Sequence, residues 1–310
     1  MVYSGEKIIK YLIDGSNEQD SASSSYWNQE HRDFYFNNGL FSGVGPIGGY
    51  KKRNFIINFI HKIFQYKYLR MGRRFPEFKH INSLAKKITQ KQNRIYNLDV
   101  LRQVLSISSI EYYCKDIPHK NDRTACVIGD GYATATSLLL EQKINKIVLV
   151  NLTKTLLIDV HFLKIWLGKE AFQSSVSLVT NKQDLTQCMN DKDNKIIVIE
   201  AKNQELIKDC GIDLFINIAS MQEMNPKIIN QYFNDLKNSN NKSYFYCCNR
   251  EKKTLPDGTI VKFSDYPWGD ASIVLDELCP WYLDFYNKTP PFFHNYDGLI
   301  RHRIVRFGES

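Results

Sequence analysis

The stretch "ACVIGDGYATAT", residues 125–136, decides the fold. Small apolar residues run up to Gly129, Asp130 and Gly131, and a helix-compatible run, "SLLLEQ", follows. A strand that ends in a glycine turn before a helix is the place where α/β proteins hold a nucleotide. The stretch therefore predicts an α/β protein with a nucleotide-type ligand at this turn.

The chain after Asp122 alternates between short apolar strands and helices. Helix 226–238, for example, has Asn225 as its expected N-cap and Pro226 at its first position. Such alternation predicts a doubly wound, Rossmann-like, mostly parallel seven-stranded sheet over residues 121–310. The expected strands are 124–129, 147–151, 175–179, 196–200, 213–219, 243–248 and 300–307.

Residues 1–120 differ in texture and predict a mainly helical N-terminal region that covers the substrate. Apolar residues recur there at spacings of three and four, as expected for an amphipathic helix that docks on the core. This stripe consists of Phe55, Ile56, Phe59, Ile60, Ile63 and Phe64.

Positive charge is concentrated in the same region. Residues 51–94 contain 13 Lys and Arg against the single acid Glu77, in a chain of net charge +8. This bias predicts an anionic partner, first a phosphate-bearing carbohydrate acceptor and second a membrane surface. Nucleic acid is not expected, because no nucleic-acid motif accompanies the charge. The side chains expected to line or flank the cleft are Lys62, Lys67, Arg70, Arg73 and Arg74.

The compartment is predicted from what the sequence lacks. No run approaches the roughly 20 apolar residues that a membrane span needs, and the first residues do not form a secretion signal. The seven cysteines are odd in number and show no CxxC spacing, which argues against a disulfide scaffold or a four-ligand zinc site. A cytoplasmic protein is expected. No metal is expected either, because the seven histidines lack paired ligand spacing.

The glycine turn favours S-adenosylmethionine over a dinucleotide. The dinucleotide fingerprint G-x-G-x-x-G has Thr134 in place of its third glycine, and Tyr132 occupies the approach of a pyrophosphate. S-adenosylmethionine is bound by a looser G-x-G-x-G turn, in which Ala133 would replace the last glycine. Val127 and Asn151 stand where that pattern has acids. A Rossmann-like domain that binds no nucleotide is the alternative.

The remaining cofactor contacts are expected at the ends of the next strands. The ribose is predicted near Asn151 and Leu152, and the adenine near Glu200 and Ala201, because ligands bind at the carboxyl ends of parallel strands. If 175–179 were the third strand, the adenine contact would move toward Asp184.

The later stretch "DLFINIASMQEMNPKIINQYFNDL", residues 213–236, carries a resemblance. An Asn–x–x–Ser–x–Gln–Glu–Met segment followed by a helix with an aromatic pair resembles a bacterial family of sugar O-methyltransferases, which are class I S-adenosylmethionine enzymes. The resemblance covers roughly residues 120–306 and, more faintly, "SSYW" near the front. The matching positions are Asn217, Ser220, Met221, Gln222, Glu223, Met224, Tyr232, Phe233 and Asn249.

The resemblance implies methyl transfer to a sugar hydroxyl within a nucleotide sugar, a glycan or a lipid-linked glycan. Asn217 and Ser220 would then lie beside the cofactor. A hydroxyl needs a base to lose its proton, and Glu223, which follows the fourth strand, is the first candidate. Glu223 is alternatively a carboxylate that favours the N-terminus of the following helix. His294 in an aromatic loop and Asp270 in "YPWGDAS" are the other catalytic candidates.

Two other functional classes remain open from the sequence. One is an NAD-dependent oxidoreductase acting on a nucleotide sugar, against which the missing third glycine counts. The other is a non-catalytic partner in glycan assembly, whose cofactor site has degenerated at Val127 and Asn151.

Overall fold

The structure is a computed structural model that describes residues 2–37, 39–45, 55–239, 242–286 and 291–308. Its helices are α1 (Glu6–Gly15), α2 (Ser25–Glu30), α3 (Phe55–Phe64), α4 (Tyr66–Gly72), α5 (Phe78–Lys91), α6 (Leu98–Tyr113), α7 (Thr134–Glu141), α8 (Thr153–Leu167), α9 (Lys169–Ser175), α10 (Lys182–Asn190) and α11 (Pro226–Asn238). Its strands are β1 (Tyr3–Ser4), β2 (Tyr35–Asn37), β3 (Leu40–Ser42), β4 (Thr124–Ile128), β5 (Lys146–Asn151), β6 (Val176–Leu178), β7 (Ile196–Glu200), β8 (Leu214–Ile218), β9 (Ser243–Arg250), β10 (Lys252–Thr254), β11 (Ile260–Lys262), β12 (Ser272–Leu278), β13 (Asp284–Tyr286), β14 (Phe293–Asn295) and β15 (Ile300–Phe307).

The central sheet has the order β1-β6-β7-β5-β4-β8-β9-β15-β12. The six strands from β6 to β9 are parallel, whereas β1, β15 and β12 pair antiparallel at the two sides. The α/β class and the mostly parallel sheet are confirmed, and all seven expected strands are present. The count of seven is wrong, because the described sheet has nine strands. The two additional strands, β1 and β12, extend its edges.

Both faces of the sheet are covered, which explains the apolar strands. Successive residues of a strand point to opposite faces. In β4, Ala125 and Val127 join a core cluster with α1 and α4 to α9, while Cys126 and Ile128 join a second cluster with α10 and α11. A strand buried on both faces needs a nearly continuous apolar run, as β4 has from Ala125 to Ile128.

The N-terminal region shares the larger of these clusters. Ile8 and Leu12 of α1 and Tyr68 of α4 are fully buried in the same cluster as the sheet residues. The described part of residues 1–120 therefore shares a hydrophobic core with the sheet. Their expected role in covering the substrate stays a prediction.

The expected docking of the stripe in helix α3 needs correction. Ile56, Phe59 and Ile63 are exposed, whereas Phe64 packs on Tyr286 with ring centroids 5.2 Å apart. Helix α3 is apolar on more than one side, so the spacing of its apolar residues does not identify the side that packs against the core. Phe55's side chain and residues 51–54 lie outside the described residues.

The strand order also determines where a crevice for a ligand forms at the edge of the sheet. The chain passes from β4 to β5 and β7 on one side and then returns to β8 on the other. A topological switch point of this kind leaves a crevice at the carboxyl ends of the two central strands. No helix within the described part of the chain is long and apolar enough to span a bilayer.

Candidate active site

The glycine turn after β4 has a left-handed backbone. The φ angles of Gly129, Gly131, Tyr132 and Ala133 are 74°, 72°, 63° and 48°. An added Cβ at Gly129 would collide with the Ser220 side chain, so glycine is needed there for space as well as for conformation. The turn thereby brings the backbone of the β4–α7 connection close to the segment after β8.

Asp130 caps the helix that follows the turn. Its two carboxylate oxygens accept hydrogen bonds from the backbone N–H groups of Ala135 (3.0 Å) and Thr136 (2.7 Å). Burial raises the pKa of Asp130, while these two hydrogen bonds oppose the rise. Backbone amides at a helix N-terminus can bind phosphate, but here the amides of Ala135 and Thr136 already donate to the Asp130 carboxylate.

A second buried carboxylate, Asp159 of α8, holds the glycine turn through hydrogen bonds. It accepts hydrogen bonds from the backbone N–H of Ala133 and the side-chain amide of Asn151, both at 2.8 Å. Burial and the neighbouring charge of Asp130 raise its pKa well above the ordinary range. The Asn151 oxygen in turn accepts the backbone N–H of Leu152 at 2.9 Å. Asn151 thus links the ends of β4 and β5.

Asn217 and Ser220 join the two central strands at the switch point. The Asn217 amide donates to the Ile128 carbonyl at 2.8 Å, and the Ser220 hydroxyl donates to the same carbonyl at 3.0 Å. The Asn217 oxygen accepts from the Met221 backbone and from the Asn249 amide. Asn217 is fully buried, so its described contacts fix the turn after β8.

Glu223 is held in the short helical turn that follows. Its Oε1 accepts a hydrogen bond from Lys253 at 2.8 Å, and its backbone carbonyl accepts one from Ser24 at 2.5 Å. Burial raises the pKa of Glu223, and the Lys253 ammonium opposes the rise. The residue is 4% exposed. The described hydrogen bonds to its side chain, from Lys253 and Gln222, both reach Oε1, so its second oxygen has no hydrogen-bond partner among the described residues. A buried carboxylate with a raised pKa and one free oxygen can accept a proton.

These residues surround a cavity of about 230 Å³ at the switch point. Two of its polar atoms, Oε1 of Gln103 and Oγ1 of Thr155, are buried without a hydrogen-bond partner. Such orphaned polar atoms are rare in native proteins and fit a ligand that supplies their partners. The predicted residues that line the cavity are Gly129, Asp130, Gly131, Asn151, Leu152, Ala201, Ser220 and Glu223.

Other predicted site residues are not brought to the cavity wall. Glu200 is fully buried and accepts hydrogen bonds from Tyr11 (2.9 Å) and Thr153 (2.8 Å), which attaches α1 to the sheet. Asn217 lies behind Ser220, as described. His294 stacks on a ring of the β13–β14 hairpin, and Asp270 is exposed in the turn before β12. None of these four lines the cavity.

The basic side chains of α3, of α4 and of the turn after α4 are also absent from the cavity wall. Lys67 pairs with Asp284, and a nitrogen of Arg74 lies 3.9 Å from a Glu277 oxygen. The five residues Lys62, Lys67, Arg70, Arg73 and Arg74 are absent from its lining. None of the five therefore lines this cavity, and the expectation that they flank the cleft stays a prediction. The two ion pairs join α4 and the turn after it to β12 and β13.

The sequence reasoning missed Arg94. This guanidinium is 8% exposed, lines the cavity and lies 4.1 Å from the Tyr132 ring centroid. It also borders a second hollow of about 300 Å³, which Lys62 and Lys86 line as well. In the sequence, Arg94 is marked only by its position in the basic stretch of residues 51–94.

Two tyrosines of the cavity wall were missed as well. Tyr282 and Tyr296 meet edge to face with centroids 5.6 Å apart. The Arg102 guanidinium lies over both rings, at 4.3 and 5.0 Å from their centroids. Aromatic faces held rigidly in this way suit the apolar face of a sugar ring.

The described residues contain no group of three or more His, Cys, Asp or Glu side chains that could hold a metal ion. All seven cysteines are buried and form no disulfide.

No protein-family model and no curated protein sequence matches this chain. Among solved structures, the chain is similar to mycolic acid cyclopropane synthase CmaA1 complexed with SAH and CTAB (9% identity, TM-score 0.36, 57% of this chain and 64% of that one). It is also similar to mitomycin 7-O-methyltransferase MmcR (9%, 0.36, 67% and 57%) and to MtNAS in complex with MTA and tNA (10%, 0.40, 98% and 97%). The chain thus spans less than two thirds of the length of the first two. TM-scores below 0.5 carry no inference about ligand or reaction.

Proposed function

We propose that the cavity binds S-adenosylmethionine and that the protein transfers its methyl group to a hydroxyl of a sugar. The observation that carries the proposal is the cavity at the switch point, floored by the left-handed glycine turn and containing the orphaned atoms of Gln103 and Thr155. The sequence resemblance around residues 217–224 supports a sugar as the acceptor.

The carboxylates of the site favour this cofactor over NAD. The α-ammonium and sulfonium groups of S-adenosylmethionine are cationic, and Asp130 and Glu223 lie in the same cavity wall. A pyrophosphate at the turn would instead meet the Asp130 carboxylate, which already occupies the amides of Ala135 and Thr136. An NAD-dependent oxidoreductase is therefore not favoured.

The cofactor supplies an electrophilic methyl group, and the chain's own residues prepare the acceptor. The free oxygen of Glu223 takes the proton of the attacking hydroxyl, since an alcohol is a poor nucleophile until it is deprotonated. Tyr282 and Tyr296, which line the same cavity, hold the sugar ring. Positioning of this kind lowers the barrier by removing the freedom of the two reactants.

Calorimetric titration tests the cofactor. S-adenosylhomocysteine is expected to bind the parent protein, whereas NAD at the same concentrations gives no heat of binding. The physical reason is the capped helix N-terminus, which repels phosphate. Tight binding of NAD without binding of S-adenosylhomocysteine would contradict the proposal.

We further propose that the acceptor carries phosphate, as a nucleotide sugar or a lipid-linked glycan does. Arg94 joins the cavity to the hollow that Lys62 and Lys86 border, so a sugar in the cavity could extend a phosphate toward these cations. A guanidinium bonds two phosphate oxygens at once.

Salt provides the test of the acceptor's charge. Raising the salt from about 50 to about 500 mM is expected to raise the KM of the phosphate-bearing acceptor several-fold through screening, with cofactor affinity nearly unchanged. Arg94→Gln should raise the same KM and weaken its salt dependence. If neither the rise in salt nor Arg94→Gln alters the KM of the acceptor, the proposal of a phosphate-bearing acceptor is contradicted. The proposal of methyl transfer would not be affected.

A further inference from the structure

Helix α3 turns an apolar face away from the protein. Ile56, Phe59 and Ile63 are 68%, 59% and 58% exposed, and their spacing of three and four places them on one side of the helix. The other side is fixed to the molecule: His61 Nδ1 lies 2.5 Å from the Tyr286 hydroxyl. The helix is therefore held in place with its apolar face outward.

The exposed surface continues beyond the helix. Phe292 and Phe293 are 42% and 46% exposed, and both rings contact Phe64, with centroids 5.2 and 5.7 Å apart. Contiguous exposed apolar surface of this kind marks an interaction site, whereas single exposed residues do not. The outer apolar patch comprises Ile56, Phe59, Ile63, Tyr66, Phe292 and Phe293.

Positive charge predominates in the chain segment that carries helix α3. Residues 55–94 contain ten Lys and Arg against the single acid Glu77. Lys62, Arg70 and Arg73 make no ion pair within the part of the chain that the structure describes. The surface thus combines apolar side chains with unpaired cations, and its partner should combine apolar material with negative charge.

We propose that the outer apolar patch rests on a bilayer that contains anionic lipids. Helix α3 would lie in the interfacial plane with Ile56, Phe59 and Ile63 among the upper acyl chains. Lys62, Arg70 and Arg73 would meet the lipid phosphates.

Charge argues against a second copy of the chain as the occupant. A two-fold dimer through this face would place the same patch of both copies together and set the two basic borders against each other. Nucleic acid would meet this face mainly through its phosphates, which form the larger part of protein–DNA contacts and would leave Ile56 and Ile63 without an apolar partner. An anionic bilayer satisfies both the apolar and the charged residues.

Vesicle co-sedimentation of the full chain tests the inference. We expect binding to vesicles of equal parts phosphatidylcholine and phosphatidylglycerol, and much weaker binding to phosphatidylcholine alone or at high salt. The double variant Phe59→Ser/Ile63→Ser should bind the anionic vesicles at least about tenfold more weakly, because two inserting side chains are lost. Both side chains are already exposed, so the thermal midpoint should remain that of the parent.

The matched control is Ile260→Ser/Ile273→Ser, which changes two side chains that are 47% and 61% exposed outside the patch. This control should bind like the parent. Equal binding by both double variants, or equal binding to neutral and anionic vesicles, would overturn the inference. The inference would also be overturned if light scattering without lipid showed a dimer of the parent protein and a monomer of Phe59→Ser/Ile63→Ser. No cofactor or acceptor is present, so failure here leaves the proposed reaction untouched.

Discussion

Replacing Glu223 with glutamine is expected to lower kcat about 100-fold or more, the usual contribution of a general base. Glutamine keeps the shape of the side chain and cannot accept the proton of the attacking hydroxyl. The affinity for S-adenosylhomocysteine should change little, because the cofactor's main contacts are expected at the glycine turn. Steady-state kinetics with a sugar acceptor and a parallel calorimetric titration measure the two quantities.

The pH profile sharpens this prediction. Only the deprotonated Glu223 accepts a proton, so kcat should rise with pH through the pKa of Glu223. Burial raises that pKa, so the rise should lie above the ordinary carboxyl range and should vanish in Glu223→Gln. Lys253 lowers the pKa of Glu223, and Lys253→Met should therefore move the rise to higher pH.

Glu251→Gln is the control for these measurements. Glu251 lies on the same segment as Lys253 but pairs with Arg301 at 2.9 Å and does not line the cavity. The kcat and the pH profile of the Glu251→Gln variant should match those of the parent. Near-normal turnover in Glu223→Gln, with S-adenosylhomocysteine still bound, would assign Glu223 a structural role at the turn before α11.

The strands were predictable because burial on both sides leaves a local signal. Most of the expected strands are short, mainly apolar runs, whereas 300–307 alternates apolar and charged residues. Each of the seven appears within a few residues of its expected bounds. The order of the strands has no local signal: β6 precedes β7 in the chain but lies outside it in the sheet. The edge strand β12 was missed because its sequence, "SIVLDEL", is half exposed and carries two acids.

The glycine turn was predictable for a related reason. Gly129 and Gly131 are required by positive φ angles and by the close approach of Ser220, and those requirements appear directly in the sequence. The roles of Glu200 and Asn217 were less accessible. Each is decided by a partner distant in the chain, Tyr11 and Ile128, which sequence spacing does not reveal.

The remaining wall of the cavity depends on tertiary packing alone. Arg94 follows α5, Gln103 lies on α6, and Tyr282 and Tyr296 belong to the segment between β12 and β15. None of them forms a motif with its sequence neighbours. Their common placement in the cavity wall follows only from tertiary packing.

Gly131→Val is expected to abolish the binding of S-adenosylhomocysteine. The position has φ 72° and lines the cavity, so a β-branched side chain would both strain the backbone and fill the approach to the ligand. The strain alone should reduce the free energy of unfolding by about 1–2 kcal/mol. Titration calorimetry and urea denaturation of the same variant separate the loss of binding from the loss of stability.

Gly168→Val separates strain from occlusion. Gly168 has φ 86°, and an added Cβ there meets no atom within 4 Å. Because Gly168 lies between α8 and α9, outside the cavity wall, this variant should lose comparable stability and still bind S-adenosylhomocysteine. Loss of binding in both variants would attribute the effect to general destabilisation. If Gly131→Val binds S-adenosylhomocysteine as tightly as the parent, the cofactor does not lie on the glycine turn, and the carboxylates of Asp130 and Asp159 serve only to hold α7 and α8 together.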